Sequence, residues 1–134
     1  RLTAEYLSGS FHFFRNARQE CTQILEQCEE RGHHKIVLAG ASDLAEIVYL
    51  CAQEHTTEIV GVMEPNMAGQ SFLTLPVFGD LKGAGKFDAI VVTSLSEPQS
   101  VYNDLVADLS AERIYAPLIL GVKSHVDLKR GALK

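Results

Sequence analysis

The stretch KIVLAGASDLAEIVYLC, at residues 35–51, decides the fold of this chain. Its first five residues form a short apolar run with β-branched side chains, which predicts a strand buried on both faces. Gly40-Ala41-Ser42 then makes a turn, and Asp43 opens a helix with Glu46 three residues later, a variant of the capping box. The helix has one apolar face, formed by Leu44, Ile47, Val48 and Cys51. The stretch therefore predicts a strand, a turn and a helix in that order.

Further strands and one more helix follow in alternation along the chain. Strands are predicted at residues 57–63, 75–78, 87–94 and 113–119, with a helix after Pro98 and a loop at 66–74. Alternating elements with continuous apolar strands indicate an α/β protein with an open, doubly wound parallel sheet. The expected strand order is 75–78, 57–63, 35–39, 87–94 and 113–119, and Pro76 confines its strand to an edge.

Residues 2–31, which precede this alternation, are predicted to form one long helix that Gly32 ends. We therefore divide the chain into a leading helix at residues 1–32 and an α/β domain at residues 33–134. Two sets of residues at heptad spacing form a seam along the helix: Ala4, Phe11, Arg18 and Leu25, and Leu7, Phe14, Cys21 and Cys28. This pattern leaves two interpretations open: a helix packed on its own domain, or a connector that joins two copies into a homodimer.

Composition restricts the classes of function. The chain has 134 residues, a net charge of −5 and three cysteines. No apolar run reaches the length of a membrane span, and no basic stripe of the kind that binds DNA is present. The cysteines lack disulfide or zinc-ligand spacing, which predicts a reducing, cytoplasmic location. Because the chain starts at Arg1, we expect it to be a piece of a longer protein. Any contact with DNA would then be made by a domain that precedes it.

Topology predicts where a ligand would bind. In a doubly wound sheet, ligands lie beyond the carboxyl ends of the strands, where the strand order reverses. The residues at these ends form the predicted binding site: Gly40, Ala41, Ser42, Asp43, Leu44, Glu64, Asn66, Thr93 and Ser94.

The turn at this site partly matches the dinucleotide pattern G-x-G-x-x-G/A, with Gly40 first, Ser42 in place of the middle glycine and Ala45 third. The Ser42 hydroxyl is expected to donate to a phosphate oxygen, whereas Asp43 would repel phosphate. Glu64 stands where an acidic residue commonly binds ribose hydroxyls. The expected ligand is a nucleotide or nucleotide-sugar, with NAD(H) as another possibility.

Two stretches resemble known families. Residues 35–64, together with DAIVVTS at 88–94, resemble the Rossmann-like nucleotide-binding domains of sugar-nucleotide acetyltransferases and dehydratases. The leading stretch RLTAEYLSGSFHFFRNARQE, residues 1–20, resembles the connector in bacterial winged-helix, MarR-like regulators found with polysaccharide genes. The resemblance implies a ligand-sensing or oligomerisation domain of a transcriptional regulator. The chain departs from these families at Ser42 and at Glu64-Pro65-Asn66, where consecutive acids are common.

The sequence lacks three common catalytic motifs, which argues against an enzyme. None of the tyrosines has a lysine four residues later, and the nucleophile elbow Gly-x-Ser-x-Gly and the P-loop are absent from the sequence. We therefore favour a regulatory domain. The alternative is the nucleotide-binding half of a sugar-nucleotide-modifying enzyme whose catalytic domain lies elsewhere.

Overall fold

A computed structural model describes the backbone of residues 4–123 and the side chains of residues 12–123. The helices are α1 (Ala4–Arg31), α2 (Asp43–Ala52) and α3 (Pro98–Asp108). The strands are β1 (Lys35–Ala39), β2 (Glu58–Met63), β3 (Ser71–Phe72), β4 (Leu75–Phe78), β5 (Ala89–Val92) and β6 (Ile114–Tyr115). Short 3-10 turns occupy Pro65–Met67, Leu81–Ala84, Ala111–Arg113 and Leu118–Leu120. The predicted α/β class and the long leading helix are confirmed.

The strands form one six-stranded sheet in the order β3-β4-β2-β1-β5-β6. All neighbouring pairs are parallel except β3 with β4. The predicted order of the five main strands is confirmed, and β1 lies between β2 and β5 in the middle of the sheet. Ile36–Ala39 and Ala89–Val92 are buried throughout, as expected of apolar strands that are covered on both faces.

The prediction that the Pro76 strand forms the edge is wrong. The chain at 71–72, expected to be loop, pairs antiparallel with β4 and places Ser71 opposite Pro76. The connecting residues Leu73 and Thr74 have φ angles of 54° and 65°. Turns with positive φ usually contain glycine or asparagine, and neither residue is present here, so the sequence carried no signal for this hairpin.

Helix α1 packs on its own domain through its C-terminal half. Ala17, Cys21, Leu25 and Cys28 are at most 1% exposed and belong to the core shared with α2 and the sheet. Their seam neighbours Phe14 and Arg18 are exposed instead. The side chains of the earlier seam positions Ala4, Leu7 and Phe11 lie outside the described residues. The first interpretation thus holds for residues 17–28, and dimerisation stays a prediction.

The three cysteines are free and buried. Burial raises the pKa of Cys21 to about 12, with a further contribution from neighbouring Cys51. Burial likewise raises the pKa of Cys28 to about 11. These thiols therefore stay protonated at neutral pH and act as small apolar side chains. Over the described part of the chain, no helix has both the length and the apolar character needed to span a membrane.

Candidate functional site

A crevice of about 470 Å³ opens beyond the carboxyl ends of β1, β2 and β5. It lies where the strand order reverses, because β1 is followed in sequence by β2 on one side and flanked by β5 on the other. Its polar lining comes from Glu64, Asn66, Ser94, Ser96, Glu97, Ser100 and Asp104, and apolar parts of the wall come from Met63, Pro65, Met67 and Val101. The crevice therefore combines several hydrogen-bonding groups with some apolar surface.

Glu64 joins two of the strand ends. Its Oε1 accepts a hydrogen bond from the backbone N–H of Ala41 at 3.1 Å. Its own backbone N–H donates to the carbonyl of Phe78 at 2.9 Å, which anchors the end of β2 to β4. The carboxylate is thus held against the turn after β1 while it still lines the crevice.

Hydrogen bonds from the hydroxyls of Ser42 and Thr93 join the turn after β1 to the end of β5. The Ser42 hydroxyl donates to the Thr93 carbonyl at 2.5 Å and accepts from the N–H of Ala45 at 3.2 Å. The Thr93 hydroxyl, which is fully buried, donates to the carbonyl of Gly40 at 2.6 Å. Ser42, not Asp43, is therefore the N-cap of α2. The proton that was expected to reach a ligand phosphate is donated to the Thr93 carbonyl in this structure, so phosphate binding by Ser42 stays a prediction.

The close contact with Ser94 requires a glycine at position 40. Its φ of +127° is a conformation that side chains rarely adopt, and a Cβ added there would lie 2.5 Å from the Ser94 backbone nitrogen. In a dinucleotide-binding turn, the first glycine permits the tight turn and the second admits the pyrophosphate. Here the first glycine also admits the neighbouring chain, and this contact by itself accounts for the residue.

Only some of the predicted site residues line the crevice; the others lie behind it or elsewhere. Gly40, Glu64, Asn66 and Ser94 line the crevice together. Ala41, Ser42 and Thr93 support it through the hydrogen bonds described above. Asp43 is exposed and lines a separate groove between α1 and α2, and Leu44 is fully buried in the core.

Sequence reasoning missed the wall that α3 contributes. Ser96 and Glu97 come just before α3, and Ser100 and Asp104 lie one turn apart on it. A polar stripe at that spacing normally indicates a solvated helix face. The position of α3 beside the β5 carboxyl end could have revealed its role, since helix N-termini in this fold face the ligand crevice.

The crevice is acidic. Glu64, Glu97 and Asp104 contribute three carboxylates, and the described lining holds no lysine, arginine, histidine or cysteine. Carboxylates accept hydrogen bonds from hydroxyl and ammonium groups and repel phosphates. Among the described residues, no group of three or more histidine, cysteine, aspartate or glutamate side chains is arranged to hold a metal ion.

No family model matches the chain, and neither a curated protein nor a solved structure shows significant similarity to it.

Proposed function

We propose that this chain is a ligand-sensing regulatory domain whose crevice binds the sugar hydroxyls of a nucleotide-sugar or nucleoside. The observation that carries the proposal is the Glu64 carboxylate, fixed by the Ala41 N–H at a switch point of the sheet and facing the crevice. Glu97 and Asp104 add further acceptors around the same space. Hydrogen bonds from hydroxyls to carboxylates are about twice as strong as those between neutral groups.

The arrangement favours a nucleotide-sugar over NAD(H). Dinucleotides place their pyrophosphate on the amides at the N-terminus of the first helix. In this chain the Ala41 N–H is bound to Glu64, and the Ser42 hydroxyl is bound to Thr93. The described lining also supplies no cation to neutralise a phosphate. Phosphates of a ligand would therefore lie toward solvent, with the sugar inside.

The path from crevice to leading helix supports a regulatory role. Ala41 and Ser42 precede α2, and α2 packs against α1 in the shared core. A ligand that draws Glu64 away from Ala41 would act directly on the start of α2. It would change the pose of α1 only if it bound one pose better than the other. The resemblance of residues 1–20 to a regulator connector points to a DNA-binding domain as the recipient of this signal.

Isothermal titration of the chain with a UDP-sugar, a nucleoside and NAD(H) tests the proposal. We expect the UDP-sugar or the nucleoside to bind more tightly than NAD(H), and Glu64→Gln to weaken that binding by about tenfold, the loss of one charge-assisted hydrogen bond. Glu112→Gln is the matched control, since Glu112 is exposed and outside the crevice lining. A ligand at about 100 times its Kd should also stabilise the fold by about 2.7 kcal/mol in thermal unfolding.

Two results would contradict this function. Tighter binding of NAD(H), unaffected by Glu64→Gln, would indicate a phosphate-directed site instead. No binding by any of the three ligands would leave a structural domain. The reading frame upstream of Arg1 tests the regulatory context separately: a winged-helix sequence supports it, and a catalytic domain supports the enzyme alternative.

A further inference from the structure

A second concave surface, the α1–α2 groove, lies on a helical face away from the crevice. It encloses about 450 Å³ and is lined by Phe14, Arg18, Asp43, Glu46, Ile47 and Leu50. Phe14 is 50% exposed and Leu50 is 57% exposed, and they are two of the four large apolar side chains exposed among the described residues. Apolar side chains that are exposed together and rimmed by charges are typical of protein interfaces.

The charges of the α1–α2 groove are separated along its length. Asp43 and Glu46 lie in the first turn of α2. Arg18 reaches the opposite end of α2, where its guanidinium is 3.8 Å from the carboxylate of Glu54. Both side chains of that pair are 67% exposed, so the pair is weak and Arg18 is available to another carboxylate.

We propose that the α1–α2 groove is the interface of a homodimer in which each copy's α1 lies antiparallel to the other's. A two-fold axis across the middle of the groove exchanges its ends. Arg18 of each copy then meets Asp43 and Glu46 of the other, while the Phe14 rings cover the apolar floor at Ile47 and Leu50. A surface with two carboxylates at one end and Arg18, beside Glu54, at the other is partly complementary to itself, as an isologous interface requires.

This charge arrangement favours a second copy over a foreign helix. A basic partner peptide would be attracted by Asp43 and Glu46 but repelled by Arg18. An acidic peptide would be attracted by Arg18 but repelled by Asp43 and Glu46. The interface lies outside the crevice and forms without a ligand, so it stands independently of the proposed function.

Sedimentation equilibrium of the full chain, residues 1–134, tests the dimer. We expect a dimer with a Kd below about 100 µM. Phe14→Glu and Leu50→Glu should each weaken it by at least about tenfold, because each would bury an unpaired charge. Both positions are exposed, so circular dichroism should show the wild-type fold. Leu118→Glu is the control: Leu118 is 84% exposed and outside the groove, and its replacement should leave the dimer intact.

Charge reversal tests the arrangement. Arg18→Glu alone and Glu46→Arg alone should each weaken the dimer, because each places like charges opposite one another. The double variant should recover part of the lost affinity, since the pair between positions 18 and 46 is then reversed while Asp43 stays acidic. A monomeric wild-type chain at about 100 µM overturns the proposal. A dimer that withstands Phe14→Glu, or one that Leu118→Glu dissociates equally well, overturns it too.

Discussion

The carboxylates at the two ends of the sheet differ in how many hydrogen bonds they accept from the protein. At the amino end, the Asp88 carboxylate accepts the backbone N–H groups of His34 and Lys35, each at 2.8 Å. The Glu29 carboxylate accepts both the N–H and the hydroxyl of Thr56 at 2.8 Å. These charges are bound by the protein itself and hold its elements together.

At the carboxyl end, the carboxylates remain available. In the part of the chain that the structure describes, the Glu64 carboxylate accepts a single hydrogen bond, from the Ala41 N–H. The side chains of Glu97 and Asp104 have no hydrogen bond or ion pair within the described residues, although both line the crevice. A ligand site requires acceptors with unused lone pairs, and a carboxylate that accepts one internal hydrogen bond still has several. Carboxylates therefore stabilise the fold at the amino end of the sheet, whereas at the carboxyl end they are available to a ligand.

The largest expected effect on stability comes from the close contact between Gly40 and the Ser94 backbone at the carboxyl end. Gly40→Ala should lower the free energy of unfolding by about 3 kcal/mol, because its Cβ would overlap the Ser94 backbone at a strained φ. Gly32→Ala is the control, since Gly32 also has a positive φ but open space around it, and it should cost about 1 kcal/mol. Urea unfolding measures both. Equal costs would mean that the Gly40 turn is as loosely packed as the end of α1.

The second prediction compares one carboxylate from each end. Asp88→Ala should destabilise the fold by about 2 kcal/mol, because two backbone N–H groups lose their acceptor. Glu64→Ala should cost about 0.5 kcal/mol or less, since it removes one hydrogen bond and relieves repulsion in an acidic crevice. Chemical denaturation of the two variants decides the matter. A Glu64→Ala cost as large as that of Asp88→Ala would make Glu64 a structural residue and break the distinction.

The smallest expected effect is a pH dependence of the amino end. Hydrogen bonds from the Thr56 backbone first, and then from His55 and the Thr56 hydroxyl, lower the pKa of Glu29 to about 2. Because the folded pKa is below the unfolded one, the contribution of Glu29 is present above about pH 4 and is lost as the pH falls toward 2. Thermal unfolding of Glu29→Gln should therefore show a smaller loss of Tm between pH 6 and pH 3 than the wild type.

Glu30→Gln serves as the control for that pH series, because Glu30 is an exposed neighbour on the same helix. It should retain the wild-type loss of Tm. If it also flattens the pH profile, the dependence comes from net charge and the Glu29 contacts do not cause it. The amides of Lys35 and His34 lower the pKa of Asp88 in the same direction, so some pH dependence should persist in Glu29→Gln.

Much of the fold followed from local patterns. The apolar run at Lys35–Ala39 and the helical spacing after Ser42 identified β1 and α2, and right-handed crossovers then gave the order of the five main strands. The β3–β4 hairpin could not be predicted, because Leu73 and Thr74 adopt positive φ without the residue types that normally signal it. The division of α1 into packed and exposed parts likewise depends on where the sheet ends, and the heptad pattern does not reveal that.

By itself, the sequence determined that three strand ends meet at one edge, with Gly40, Glu64 and Ser94 beside them, because strand connectivity is written in hydrophobic periodicity. Only the tertiary structure decided which groups at that edge are free. Ser42 and Thr93 are 51 positions apart, yet a hydrogen bond between them occupies the proton of the Ser42 hydroxyl. Such bonds depend on the approach of distant backbones, which no local pattern encodes. The remaining free carboxylates, and hence the character of the crevice, are a consequence of packing.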